Sequence, residues 1–247
     1  MSLPQIYGTL TVIQSASALT FSVFYFTHAT QFLAAPFGGI ELSNKYLLLG
    51  RPLYQDEHLE PILVTGAAIV HVVSGLAKGA IRLYWGRKGG NQQSNSTGIP
   101  YHRFAGYALM PILTVHYKAV RDLPRQHFGD SAFLDYTYIS FMLQSHPTIA
   151  YVGHAALISF ASYHVVGGMK FAIDSVFKGR RRQNEQPTKP AKIESRSSGI
   201  DTRRAQMLAS LSVSALAIYG LYVIGKAQKI PLRHEYAKIY QRLISFK

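Results

Sequence analysis

Histidines stand inside long uncharged stretches of this 247-residue chain, among them His28 in FYFTHATQF, His71 in HVVSGLAK, His116 in ILTVHYKAV and His164 in SYHVVGGMK. An imidazole in an apolar environment must satisfy both ring nitrogens or bear the cost of desolvation. Such histidines therefore mark a ligand site, a proton path or an interhelical hydrogen bond. Three chemistries follow: axial ligation of haem iron by neutral imidazole, a proton or substrate pathway, and a satisfied histidine bridging two helices. Gly75 lies four residues after His71, and Gly168 four residues after His164, on the same helix face in each case. The missing side chains clear a flat slot beside each ring, suited to a porphyrin edge and equally to close helix packing. His102 and Arg103, in YHRFAG, add basic groups of the kind haem propionates prefer, and Gly106 follows four residues after His102. Taken by itself, Arg103 also fits a plain topological anchor.

The elements that must position these rings are duplicated. HVVSGLAKGAI aligns with HVVGGMKFAI across one gap, and the helix before each carries one further histidine, His28 or His116. The chain thus reads as two helical pairs plus a fifth helix. His28 and His116 are 88 residues apart, and His71 and His164 are 93 apart. With alternating helix directions, the first pair lies toward one membrane side and the second nearer the middle or beyond it, giving two levels of paired imidazoles. Repeats of this kind place ligands at their shared interface.

Composition agrees with a membrane bundle: 48% of residues are hydrophobic and 15% charged, unevenly spread. Residues 6–40 contain no Asp, Glu, Lys or Arg, and 205–225 form a second such block. Each is long enough to cross roughly 30 Å of hydrocarbon at about 1.5 Å per residue. The expected fold is all-α, a five-helix transmembrane bundle with spans near 6–35, 60–86, 102–122, 147–175 and 205–226. Residues 1–90 hold the first pair, 99–176 the second, 177–204 a basic flexible linker and 227–247 a basic tail.

Charge sets the topology. Lys plus Arg against Asp plus Glu run two to four in residues 36–60, five to none in 77–103, three to three in 118–146, ten to four in 170–204 and six to one from 226. The N-terminus and the second and fourth connections form the basic side, which the positive-inside rule makes cytosolic; the basic tail votes the other way. The net charge of +14 is read as topology and attraction to anionic lipid headgroups, not nucleic-acid binding. A secretory signal or a cleaved presequence is not expected, because no basic residue precedes the first block. With no cysteine, disulfides and thiolate metal sites are excluded.

The remaining candidates are structural. His154 lies ten residues before His164, about 15 Å along one helix, so it cannot serve the same iron and reads as a packing or interfacial residue. His146 reads as a helix start, and His58, His127 and His234 as loop or tail. QDEHLE, at 55–60, reads as a solvated loop and helix-start charge rather than a metal site. No nucleophile motif, phosphate-cradling glycine loop or paired buried carboxylate is present, so catalysis by side chains is not expected. Any chemistry would be electron transfer through a cofactor.

YHRFAGYAL, SYHVVGGMKFAID, a basic linker and a closing apolar helix resemble the motif order of the cytochrome b anchor subunits of succinate dehydrogenase and fumarate reductase. That resemblance implies haem b with His164 as ligand and Arg103 near propionate or quinone. Diheme members carry one histidine on each of four helices, similar to His28, His71, His116 and His164; Gln14 stands where they have a His-Arg pair. The whole chain more closely resembles a fungal mitochondrial outer-membrane family of lipid homeostasis, suppressors of lost tethering between endoplasmic reticulum and mitochondria. This resemblance implies a multi-pass adaptor at contact sites, with membrane lipids and a lipid-transfer protein as partners. The Pro-x-Pro docking peptide known from the yeast member has no match here; Pro187 and Pro190 are spaced Pro-x-x-Pro. The reading is a mitochondrial lipid-homeostasis protein holding one haem b, or two, with His71 and His164 as first ligand pair and His28 and His116 as second. The alternatives are a respiratory cytochrome b anchor and a haem-free scaffold.

Overall fold

The computed structural model describes residues 1–87, 100–130, 133–178 and 197–245. Eight α-helices occur among them: α1 (Leu3–Tyr54), α2 (Ala67–Arg87), α3 (Pro100–Tyr117), α4 (Leu123–Phe128), α5 (Tyr136–Ser145), α6 (Pro147–Ile173), α7 (Ser197–Gly225) and α8 (Arg233–Ser245). Wider π turns lead into α2 over Glu60–Gly66, follow α3 over Lys118–Asp122 and follow α6 over Asp174–Lys178. No strand occurs among the described residues. The expected linker over 177–204 lies largely outside them, as do Pro187 and Pro190, and α7 begins at Ser197 rather than near 205.

Four helical stretches are long and apolar enough to cross a membrane: Leu3–Tyr54, Glu60–Arg87, Pro147–Phe177 and Arg204–Gly225. They turn large apolar side chains outward, among them Val23, Ile69, Val73, Val152 and Leu211, as hydrocarbon requires. The third expected span is helical, but α3 has only 18 residues and carries His102, Arg103, Pro111 and His116. Ser2 and Gln5 form a reciprocal capping box at the start of α1. α1 breaks once, where Gly38 leaves the helical region and Gly39 takes φ +63°, the left-handed conformation that suits glycine.

The chain divides into two compact units. Unit 1 comprises Met1–Phe26, Arg51–Ile99 and Val165–Gln206; unit 2 comprises Thr27–Gly50, Pro100–His164 and Met207–Lys247. In unit 1, the start of α1 packs on α2 through Tyr7 and Trp85, ring centroids 5.3 Å apart. Asp56 Oδ1 accepts the His58 and Leu59 amides where the second span begins, the helix-start role expected for that acidic loop.

Unit 2 has a continuous apolar core from Phe32 and Ala35 of α1 through Tyr138, Phe141 and Leu143 of α5 to Leu221 and Ile224 of α7 and Tyr236, Ile239 and Tyr240 of α8. The expected loop ahead of residue 147 and the expected basic tail contain helices α5 and α8. Tyr236, Ile239, Tyr240 and Leu243, at i, i+3, i+4 and i+7, give α8 one apolar face. Asp135 caps α5 by accepting the Thr137 amide at 2.8 Å. The buried phenols are satisfied: Tyr138 donates to the Ala119 carbonyl at 2.7 Å, Tyr136 to Gln31 Oε1 at 2.7 Å, and Tyr240 to the Tyr138 carbonyl at 3.3 Å. His127 and His234, expected in loop or tail, lie in α4 and α8, and His127 Nε2 meets Glu235 Oε2 at 2.6 Å. His146 does start a helix, its carbonyl accepting the Ala150 amide at 3.0 Å.

Candidate functional site: buried imidazoles and a buried ammonium

In unit 1, His71 lies on α2 with Nδ1 at 3.1 Å from the Gln14 carbonyl. A carbonyl only accepts, so Nδ1 carries the proton and the lone pair of the neutral ring sits on Nε2. In unit 2, His164 on α6 donates Nδ1–H to the His102 carbonyl, also at 3.1 Å, with the same consequence. Gln14 and His102 are 88 residues apart, the separation of His28 and His116, and each offers its main-chain carbonyl to a histidine ring. Donation of one ring N–H to a main-chain carbonyl is the usual way a protein orients a metal-ligating imidazole.

The glycines act differently in the two halves. A Cβ on Gly75 would lie 2.7 Å from Gln14 Nε2, so the space beside Gly75 is where the Gln14 amide sits. A Cβ on Gly106 would lie 2.7 Å from His164 Cε1, so Gly106 admits the His164 ring itself. That ring stacks on His102 with centroids 4.2 Å apart and planes 7° from parallel. Gly168, on α6, is half-buried. Arg103 is exposed and has neither hydrogen bond nor ion pair among the described residues.

Unit 2 also brings His28 of α1 and His116 of α3 together, ring centroids 6.2 Å apart and planes at 61°. His154 joins them: its ring lies 6.1 Å from that of His116. Its Nδ1 donates to the Ala150 carbonyl at 2.8 Å, while its buried Nε2 has no hydrogen-bond partner among the described residues. The spacing argument separated His154 from His164 and was silent about other helices; the signal that it belongs with His116 lay only in its apolar surroundings. Among the described residues, no group of three or more His, Asp or Glu has the geometry of a metal site.

A second group lies in unit 1 around Lys78, whose sequence reading is that of a basic residue at the membrane edge. Lys78 on α2 is 7% exposed; its Nζ donates to Gln14 Oε1 at 3.0 Å and sits 5.2 Å above the Tyr7 ring. One turn on, Arg82 Nη1 donates to the Tyr7 hydroxyl at 3.1 Å. Lys78 stands seven residues after His71, on the same helix face.

Residues 111–226, just under half of the chain, match a family model described as MDM10-complementing protein 1, transmembrane domain. No curated protein and no solved structure matches the chain. The matched stretch runs from Pro111 inside α3 to the residue after α7. With its apolar helices and this likeness, the chain is a multi-span membrane protein.

Proposed function

We propose that the chain is a multi-pass protein of the mitochondrial outer membrane, acting in lipid homeostasis at organelle contact sites as an adaptor for a lipid-transfer protein. The observation that carries this reading is the likeness of residues 111–226 to the transmembrane domain of MDM10-complementing protein 1. The spans in that stretch and the basic connections, which point the N-terminus to the cytosol, support it. The test is expression of the full chain in cells lacking MDM10. Restored growth, with the chain in protease-treated mitochondria cleaved only at its cytosolic connections, supports the reading. Unchanged growth with correct insertion overturns it.

A second reading concerns the core: haem b ligated by His71 and His164, with His28 and His116 as a second pair and His102 and Arg103 serving the propionates. The tautomer fixed at both rings favours it, because axial ligation needs the lone pair on Nε2. Haem, when bound, supplies a one-electron couple; the chain orients the imidazoles and keeps water away. Oxidised and reduced visible spectra of detergent-purified protein, beside His71→Ala and His164→Ala, test this. Loss of a haem b spectrum in both variants is expected. A colourless wild type leaves the haem-free scaffold, and copurifying flavoprotein and iron–sulfur subunits would favour the respiratory anchor.

A further inference from the structure

Lys78 lies inside a stretch apolar enough to span a membrane, yet its ammonium is held inward by a neutral amide and an aromatic face. Withdrawing an ammonium from water costs several kcal/mol, and such partners offset only part of that. A carboxylate would complete the pair, but neither segment supplies one: residues 6–40 and 61–87 contain no Asp or Glu. Arg82 likewise has no ion pair among the described residues, and it donates to the Tyr7 hydroxyl.

Two ordinary explanations fit poorly. Snorkelling carries a lysine head outward to the interface, whereas this one is buried and bonded to Gln14. The helix dipole favours cations in the last turn, which describes Arg87 but not a lysine nine residues earlier. The seat is instead built around Gln14. Gly75 makes room for its amide, the His71 Nδ1–H takes its carbonyl, and its Oε1 faces Lys78. Tyr7 and Trp85, packed together at 5.3 Å, add the aromatic pair common where a span meets headgroups.

We infer that Lys78 and Arg82, beside Tyr7 and Trp85, form a binding site for the phosphate of a net-anionic glycerophospholipid. Two cations without an ion pair among the described residues attract a phosphate, and neither of these two segments offers a carboxylate to the ammonium of a zwitterionic headgroup. The choice of a lipid over another anion rests on the lipid-homeostasis reading.

The test is thermal unfolding of the full chain in neutral detergent, with short-chain phosphatidic acid, short-chain phosphatidylcholine or inorganic phosphate added. Phosphatidic acid at about a hundredfold excess over Kd is expected to raise Tm on the order of 5 °C. Neither of the other two should reproduce the rise. Lys78→Met should lose most of it, Arg82→Gln should weaken it, and Lys170→Met, altering an exposed lysine paired with Asp174, should keep it. If Lys78→Met does not insert, Lys78→Arg is expected to retain the response that Arg82→Gln weakens. An equal rise with phosphatidylcholine, an undiminished rise in Lys78→Met, or equal responses of Lys78→Arg and Arg82→Gln overturns the site. A rise reproduced by inorganic phosphate assigns it to a free anion, and a response confined to haem-loaded protein assigns it to a propionate; both overturn the lipid assignment. Complementation of MDM10 loss by wild type without any lipid response rejects this site and leaves the mitochondrial reading standing. Failed complementation with an intact lipid response does the reverse.

Discussion

His164 donates its Nδ1–H to the main-chain carbonyl of His102 at 3.1 Å while the two imidazoles lie stacked, centroids 4.2 Å apart. One ring is thereby oriented by the backbone and covered by the side chain of the same residue. The approach needs a glycine, because a side-chain carbon at Gly106 would fall 2.7 Å from His164 Cε1.

Gly106→Ala is therefore expected to displace the His164 ring and lower stability by about 1–3 kcal/mol, the usual effect of overpacking. Gly8→Ala, where nothing lies within 4 Å of the added carbon, should be neutral or gain up to about 1 kcal/mol from helix propensity. Thermal unfolding in detergent compares them, and equal effects would mean that Gly106 does not govern the ring.

Gly220 meets a harder neighbour. A Cβ there would run into the Phe32 main-chain carbonyl, 3.0 Å from its carbon and closer still to its oxygen. A main-chain group cannot swing aside as a ring can, so α1 and α7 must separate locally. Gly220→Ala should destabilise by about 3 kcal/mol or more, visible as poor recovery of folded protein and a lower Tm than Gly106→Ala. Wild-type behaviour would refute this close helix contact.

Docking of α8 rests on Tyr236, Ile239 and Tyr240, all at most 1% exposed. Tyr240→Ala should cost about 3–5 kcal/mol through the cavity it leaves. Tyr240→Phe, which gives up only the 3.3 Å bond to the Tyr138 carbonyl, should cost about 1 kcal/mol. Hydrogen exchange over residues 233–245 reads the release directly, and protection unchanged in Tyr240→Ala would show that this face does not hold α8.

The same helix should respond to pH at both ends of the scale. The Lys238 hydrogen bond, and after it that of His127, holds the Glu235 carboxyl below its usual range. A depressed carboxyl contributes stability that is present above its unfolded value of about 4.3 and lost as pH falls through the folded value. Burial pushes the Tyr138, Tyr236 and Tyr240 phenols up. Raised phenols contribute stability that is present below about 10 and lost as pH rises beyond it. Protection of α8 should fall as pH drops below about 4.3 and again as it rises above about 10. Glu235→Gln should remove the acid limb, and an acid limb that survives would place the titration elsewhere.

Apolar blocks are local patterns, and they determined the helical class and four of the five expected membrane-crossing stretches. The i, i+3, i+4, i+7 face of α8 was equally present in the residues, but six Lys and Arg against one Glu from residue 226 onward concealed it beneath a reading by charge. Tertiary structure alone decided what fills the space beside a glycine: Gln14 at Gly75, an imidazole at Gly106, a carbonyl at Gly220. It alone set His154 beside His116 and buried Lys78 under Tyr7. The physical reason is that hydropathy and helical period fix which face of a helix is turned inward, whereas the atom that meets that face comes from a segment tens of residues away and is selected by packing.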